Sequence, residues 1–111
     1  MSSDNRIPAV VALSLRALIT PTDQGIASRI LAKASGGSVT LFAFDAGQGL
    51  AEHTSPFDAL VLVTEGELTL TVAGQAVRAT PGSIVRLPAN VPHAVDAAAP
   101  ARMLLVMLKE A

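Results

Sequence analysis

From about residue 24 onward, the hydrophobic positions of the chain fall in short runs rich in Val, Leu, Ile and Thr, and Gly or Pro separates one run from the next. Short apolar runs between such turn formers are typical of β-strands. The pattern predicts eight strands, at residues 26–33, 38–45, 59–64, 67–72, 76–80, 83–87, 93–97 and 102–108. Eight short strands in one chain of this size indicate an all-β sandwich or barrel.

The clearest alternation is LTLTV at residues 68–72, where leucines and a valine alternate with two threonines. Successive side chains of a strand point to opposite faces, so this strand turns an apolar face inward and a threonine face outward. Ala73-Gly74-Gln75 then predicts a hairpin turn into the next strand. Pro81-Gly82 predicts a second turn, because proline presets one backbone torsion and glycine accepts a positive one.

Residues 60–63 and 103–108 are apolar on both faces. One face of such a strand covers the core, and the other face needs a second cover. Two covers are available, the N-terminal segment or a second copy of the chain, and we expect a homodimer in which one of these strands forms the interface.

Residues 9–19, AVVALSLRALI, fit both helical and strand periodicity, and we interpret them as irregular or as a short helix.

Composition agrees with one folded domain. The chain has 111 residues, of which 50% are hydrophobic and 15% charged, and its mean hydropathy is +0.50. A chain of this length can close a single core, which excludes intrinsic disorder. We therefore expect one domain over residues 1–111, with an N-terminal extension to about residue 24 and a barrel over about residues 25–108.

Charge and hydropathy exclude two classes of partner. The formal net charge is −1, and Lys and Arg are scattered singly, so no basic surface is expected to hold nucleic acid. No apolar stretch approaches the roughly 18–20 residues of a membrane helix, so we expect no membrane partner. Asp4, Pro8 and Arg16 interrupt the region where a secretory signal would be apolar, and we expect a cytoplasmic protein.

The residues that the chain lacks narrow its chemistry. It has no Cys, Trp or Tyr, which excludes thiolate catalysis and every zinc site built on cysteine. The sequence has neither a GxSxG elbow nor a GxxxxGK[ST] loop. Two histidines remain, His53 and His93, and neither lies in an HExxH motif. Any reaction or ligand contact is expected near these two side chains.

The histidines lie in two spaced motifs. In the first, Gly47 precedes His53 by five intervening residues, and Gly66 follows. The second runs from Pro81-Gly82 through Pro88 to Pro92-His93. Together they resemble the two motifs of the cupin superfamily, whose small RmlC-like members fold as a jelly roll. The resemblance implies a cupin-type double-stranded jelly-roll β-barrel over residues 25–108, and cupins include isomerases, dioxygenases, decarboxylases, sugar-binding regulators and storage proteins.

The chain departs from the cupin pattern at two of the four metal-ligand positions. Ser55 stands where the family places its second histidine, and Ala59 stands where it places a glutamate. In an extended chain His53 and Ser55 share one face, while Asp58, next to Ala59, faces outward. The resemblance therefore implies a divalent metal (Zn, Ni, Fe or Mn) held weakly by His53 and His93, or no cofactor at all.

The resemblance also places both histidines on neighbouring strands, pointing into one cavity. The alternative is a pair of partly buried histidines that only hydrogen-bond. Apolar neighbours complete the cavity, and the predicted ligand-binding residues are His53, Ser55, Val61, Val63, Val85 and His93.

Three functions follow from these residues. The favoured one is a small-ligand-binding barrel of unresolved activity. The second is a cupin enzyme of the isomerase, dioxygenase or decarboxylase type, acting on a small organic acid or sugar derivative through His53 and His93. The third is a structural remnant with a disabled site. The two absent ligands favour binding over metal-dependent catalysis, since such catalysis tolerates ligand loss poorly.

Overall fold

The computed structural model describes residues 6–109. It contains one 3₁₀ turn, Leu15–Leu18, and nine strands. The strands are β1 (Ile26–Ala34), β2 (Gly37–Phe44), β3 (Gly49–His53), β4 (Asp58–Glu65), β5 (Leu68–Val72), β6 (Gln75–Ala79), β7 (Ile84–Leu87), β8 (His93–Asp96) and β9 (Ala101–Leu108). Within these residues no helix has the length and apolar character required to cross a membrane.

The strands form two antiparallel sheets. The five-stranded sheet has the order β1-β2-β9-β4-β7, and the four-stranded sheet has the order β3-β8-β5-β6. The inner faces of both sheets supply one cluster of buried side chains, which includes Phe44 and Val61 from the first sheet and Leu68, Leu70 and Val95 from the second. The predicted all-β jelly roll is confirmed.

The hydrophobic pattern locates eight of the nine strands. No end of these eight differs from its predicted position by more than one residue. The reason is visible in β4 and β5, where Val61, Val63, Leu68 and Leu70 are buried and the residues between them are not. Alternate burial of this kind is what a strand with one face in the core requires.

The prediction of eight strands was wrong by one, because it omitted β3. This strand, GLAEH, lies at an edge of the four-stranded sheet, and all of its residues except Leu50 are exposed. An edge strand with little buried surface has no apolar alternation to reveal it. The omitted strand carries His53 at its C-terminal end.

The two predicted turns are present. Ala73 and Gly74 both have positive φ, 51° and 80°, which is the backbone of a two-residue type I′ hairpin between β5 and β6. Gly82 also has a positive φ, 89°, and the N–H of Ser83 donates to the carbonyl of Thr80 across the second turn.

The N-terminal segment covers part of the outer face of the five-stranded sheet. Ile19 is buried there with Leu31, Leu41 and Ala43, and Leu104 of β9 packs against the same cluster. The segment is irregular apart from its 3₁₀ turn, as predicted. One of the two expected covers for the apolar outer face is therefore present.

The same outer face continues over β4 and β7. Leu60, Leu62 and Val106 are half-buried there, while Ile84 and Leu108 are 58% and 48% exposed. The register pairs Leu60 with Val106 and Leu62 with both Leu104 and Ile84, so these side chains adjoin the covered part of the face.

Stability should depend on the inner faces and very little on the exposed edge of β6. We expect Leu70→Ala to lower the free energy of unfolding by about 2–5 kcal/mol, because it removes methyl groups from a fully buried position. Val77→Ala, at a position 41% exposed, should cost less than about 1 kcal/mol. Urea unfolding followed by circular dichroism measures both, and equal losses would contradict the assignment of the core.

Candidate functional site

His53 and His93 meet at adjacent ends of β3 and β8. The antiparallel register pairs them directly. Their Nε2 atoms are 3.1 Å apart, and the rings lie edge to face with centroids 4.4 Å apart. Residues that are 40 positions apart in the chain thus form one site.

Each ring is anchored by a backbone carbonyl two residues before it. The Nδ1 atom of His53 lies 2.7 Å from the carbonyl oxygen of Ala51, and that of His93 lies 3.1 Å from the carbonyl oxygen of Val91. A carbonyl only accepts hydrogen bonds, so both Nδ1 atoms must donate. A neutral imidazole carries one proton, and each Nε2 therefore presents a lone pair when its ring is neutral.

The two lone pairs point at each other across 3.1 Å. No hydrogen bond forms between two acceptors, and a polar atom without a partner is costly where water is scarce. A cation resolves the conflict, either as a proton on one Nε2 or as a metal ion that accepts both lone pairs. A neutral pair in this orientation thus lacks the proton that a hydrogen bond between the two rings requires.

The two histidines differ in their exposure to water. His93 is 6% exposed, whereas His53 is exposed at the edge of the sheet. Burial lowers the pKa of His93 below its ordinary value of 6.5, the hydrogen bond to Val91 opposes that shift, and a positive charge on His53 lowers it further. His93 therefore favours its neutral form, and His53 is the ring that solvent reaches.

Apolar side chains surround the inner part of the pair. Val72 of β5 lies opposite His93 in the register, and Leu50 of β3 lies opposite Val95. Val95 is buried, and Leu50 and Val72 pack against the same core cluster. A polar group that binds at the histidines would therefore meet few competing polar side chains beneath them.

The predicted valines lie across the core from the histidines. Val61 and Val63 are buried on β4, and Val85 of β7 is partly buried and pairs with Val61. All three belong to the inner face of the five-stranded sheet, whereas the histidines belong to the four-stranded sheet. Their contact with a ligand stays a prediction.

Ser55 lies beyond the end of β3, in the loop that leads to β4. Its hydroxyl accepts the N–H of Phe57 at 3.2 Å, and its carbonyl accepts the N–H of Asn90 at 2.7 Å. The second contact ties the loop after His53 to the loop before His93. Ser55 therefore links the two loops that flank the histidines, and its role in ligand binding stays a prediction.

Neither the position that the cupin pattern gives to a glutamate nor its neighbour Asp58 supplies a carboxylate to the histidines. Ala59 is 2% exposed within the core. Asp58 faces outward, as predicted, where it accepts the N–H of Ala89 at 2.8 Å and pairs with Arg86 at 2.9 Å. These two partners, the Ala89 N–H first, lower the pKa of Asp58. The Asp58 carboxylate therefore makes its contacts on the outer surface, with Ala89 and Arg86.

Two imidazoles are the whole set of metal donors that the described residues bring to this site. Within residues 6–109, no group of three or more histidine, aspartate or glutamate side chains is arranged to hold a metal ion. A typical protein zinc site has three or four protein ligands. The pair therefore offers two imidazoles, fewer than the protein ligands of a typical zinc site.

Two surface clefts lie away from the histidines. The larger, about 590 Å³, lies beside Phe57, Asp58 and Lys109, and the smaller, about 350 Å³, lies at the β1–β2 hairpin beside Lys33 and Val39. Neither cleft includes a residue predicted to bind ligand. The ligand-binding prediction therefore depends on the histidine pair itself.

The carbonyls of Ala51 and Val91 could not be predicted from the residue pattern. Residue types do not show where a backbone carbonyl points. The direction of these two carbonyls is set by the geometry of β3 and of the loop before β8. They decide which ring nitrogen of each histidine is available, so they are as important to the site as the side chains.

A comparison with protein-family models settles the relationship that the spacing of His53 and His93 suggests. The model described as Cupin domain matches residues 40–107. The chain belongs to the cupin family. Both histidines lie within the matched region, and so do the strands that pair them. No curated protein matches the chain.

Solved structures of cupins and of an uncharacterised protein resemble this chain over most of its length. A conserved protein of unknown function from Streptococcus pyogenes is 32% identical, with a TM-score of 0.90 over 100% of this chain and 97% of that one. A cupin superfamily protein from Desulfitobacterium hafniense is 26% identical, with a TM-score of 0.88 over 98% and 100%. A cupin 2 conserved barrel domain protein from Leptotrichia buccalis is 33% identical, with a TM-score of 0.83, and 87% of this cupin chain covers 47% of it.

The lowered pKa of His93 predicts a pH dependence of stability. An unfolded histidine titrates near about pH 6.5 and the folded His93 titrates lower, so the unfolded chain binds more protons between these values. The free energy of unfolding should therefore be highest above about pH 6.5 and fall as the pH drops through the pKa of folded His93. Urea unfolding at pH 8 and pH 5.5, with a chelator present, measures the loss.

His93→Gln provides the control for this prediction, because glutamine does not titrate. Carboxylates protonate in both proteins, so only the difference between parent and variant reports on His93. The parent should lose more stability than the variant on acidification. Equal losses would show that burial does not depress the pKa of this histidine.

Proposed function

We propose that this cupin binds a small organic ligand at the His53–His93 pair and holds a divalent metal there weakly. One observation carries the proposal, namely that both Nδ1 atoms donate to backbone carbonyls while both Nε2 atoms face each other 3.1 Å apart. Two lone pairs that face each other require a proton or a metal ion between them. In an ordinary pair of core histidines, one ring donates a hydrogen bond to the other and no such partner is required.

The spacing suits a metal ion bound by both rings. Zinc–nitrogen bonds are about 2.0–2.1 Å long, so two atoms 3.1 Å apart can both reach one ion. Histidines that ligate a metal usually donate their other ring N–H to a carbonyl or carboxylate, as both rings do here. When bound, a divalent ion would polarise a carbonyl or carboxylate oxygen of a ligand.

Two protein donors leave most of the coordination shell to water or to the ligand. The metal is therefore expected to exchange readily and to be lost on dialysis. The side chains beneath the pair, Leu50, Val72 and Val95, are apolar. These features favour a small and mostly apolar ligand with one polar end directed at the histidines.

A second candidate function, acid–base catalysis, is favoured by the unequal exposure of the two rings. His93 is buried and neutral, while His53 is exposed and adjacent to it. A proton taken from water by His53 can be donated through its Nε2, and His93 can accept one at the same place. An isomerase-type reaction on a small organic acid or sugar derivative would use this arrangement without a metal.

Metal titration tests the binding proposal. In protein purified without an affinity tag and treated with chelator, we expect zinc and nickel to bind weakly, as measured by isothermal titration calorimetry. His53→Ala and His93→Ala should each abolish this binding, because one imidazole alone cannot hold the ion. His93→Ala should cost about 1 kcal/mol of stability or little more.

Val77→Ala is the matched control, since it alters an exposed position on β6 away from the histidines. It should bind zinc and nickel as the parent does. If the parent binds neither metal, or if both histidine variants bind as well as the parent, the metal part of the proposal is wrong. Retained binding of a small organic acid by such a parent would then favour acid–base chemistry.

We further propose that a second copy of the chain covers the outer face over β4 and β7. Leu60, Leu62, Val106 and Ile84 make this face apolar. The nearby charges of Asp58 and Arg86 neutralise each other at 2.9 Å, and the chain has a net charge of only −1. Such a face has no charge with which to recognise a charged partner, and it complements an identical face related by a two-fold axis.

Light scattering at micromolar concentration should report twice the mass of one chain, since a two-fold interface of this kind commonly buries about 800 Å² per partner. Leu62→Glu should shift the mass to that of a monomer, because it places an unpaired charge at the centre of the face. Glu67→Gln, at an exposed position before β5, is the control and should leave the mass unchanged. A parent with the mass of one chain would rule the dimer out.

A further inference from the structure

The strand that carries His53 contains one residue more than the strand beside it. Leu50 pairs with Val95 and His53 pairs with His93, so three steps along β3 match two steps along β8. The extra residue is accommodated at Ala51 and Glu52, and the ladder is irregular at that point. This is a β-bulge in an edge strand, a feature that re-aims side chains beside functional sites.

The bulge decides which side chain faces His93. Leu50 packs into the core, so in a regular strand Glu52 would point the same way and would lie opposite His93. His53 would then point away from the core. The additional residue reverses this order and brings the imidazole to the face that the glutamate would occupy.

The bulge also contains the carbonyl that anchors His53. In a regular ladder, carbonyls lie in the plane of the sheet and point to neighbouring strands. At the bulge, the carbonyl of Ala51 instead accepts the Nδ1–H of His53 at 2.7 Å. His93 obtains the same contact from Val91, which lies in the loop before β8.

The chain before the bulge is held in place. The N–H of Gly47 donates to the carbonyl of Ala97 at 2.8 Å, and the N–H of Ala97 donates to the carbonyl of Gln48 at 2.9 Å. A Cβ at Gly49 would lie 2.3 Å from the carbonyl oxygen of Val95, so only glycine permits this close pairing.

The chain after the bulge is held as well, by the hydrogen bond from Asn90 to Ser55. With both ends fixed, β3 cannot slide along β8 to remove the extra residue. The irregularity is a stable part of the structure.

We propose that the bulge at Ala51 and Glu52 positions His53 by holding its ring with the proton on Nδ1, so that Nε2 faces His93. Its use in binding rests on the proposed function above. The bulge is a positioning element, because it acts on a ligand only through His53.

Deletion of Glu52 tests the proposal. It leaves two steps between Leu50 and His53, so both side chains keep the same face in a regular ladder, but the Ala51 carbonyl returns to that ladder. Zinc affinity measured by calorimetry should fall about 10–100-fold, the usual cost of losing an outer partner of a histidine ligand. Glu52→Gln keeps the extra backbone residue and should retain the parent affinity. If Glu52→Gln loses as much affinity as the deletion, the carboxylate is responsible and the proposal is overturned.

A measurement on the parent protein keeps the proposal testable if the deletion variant fails to fold. Ring ¹⁵N chemical shifts show which nitrogen of each histidine carries a proton. In metal-free parent protein, Nδ1 of His53 should stay protonated whether the ring is neutral or cationic. In the deletion variant the proton of the neutral ring should move to Nε2. An unprotonated Nδ1 in the parent overturns the proposal.

The two proposals fail in different ways. If His53→Ala and His93→Ala do not reduce zinc binding, the proposed function fails, and the ¹⁵N shifts still decide whether the bulge holds the ring. If those variants lose zinc but the folded deletion variant keeps both its affinity and its Nδ1 proton, the bulge does not position His53. The first result leaves the inference standing, and the second leaves the proposed function standing.

Discussion

The site depends on one constraint, the register between the edge strand β3 and its neighbour β8. That register places His53 opposite His93, and it is held by the close approach at Gly49 and by the hydrogen bonds around Gln48 and Ala97. A shift of one residue would exchange the faces of every side chain on β3. The extra residue of the bulge turns the His53 side chain to the face on which His93 lies. The meeting of the two histidines follows from that local arrangement of backbone.

Because the carbonyls of Ala51 and Val91 occupy both Nδ1 atoms, the pair has lone pairs where an ordinary histidine contact would have a donor and an acceptor. This arrangement is the basis of the proposed cation binding, and the apolar surroundings support it, since few other polar groups can satisfy the rings. The two rings differ in burial, and the burial of His93 lowers its pKa below the ordinary value of a histidine. The two functions proposed for the site, metal binding and proton transfer, both rely on this geometry.

The five-stranded sheet is apolar on both faces, and each face needs a cover. The inner face of the five-stranded sheet closes the core, and the N-terminal segment covers the outer face around Leu41 and Leu104. Arg16 pairs with Glu65 at 3.5 Å, and Arg29 donates to the carbonyl of Leu18, so the segment is tied to the sheet at both places. The face beyond it, around Leu62, remains apolar, and this is the surface we assign to a second copy of the chain.

The sequence by itself determined the sheet-forming segments, the two turns and the importance of the two histidines, because burial alternates with strand periodicity and turn residues mark where strands end. It could not reveal β3, whose exposed residues carry no hydrophobic signal, and it could not show that β3 ends before Ser55. Only the tertiary structure decided the register, the bulge and the capture of Nδ1 by backbone carbonyls. These depend on the positions of backbone atoms from strands distant in sequence, and residue types along one chain do not encode such positions in any local pattern.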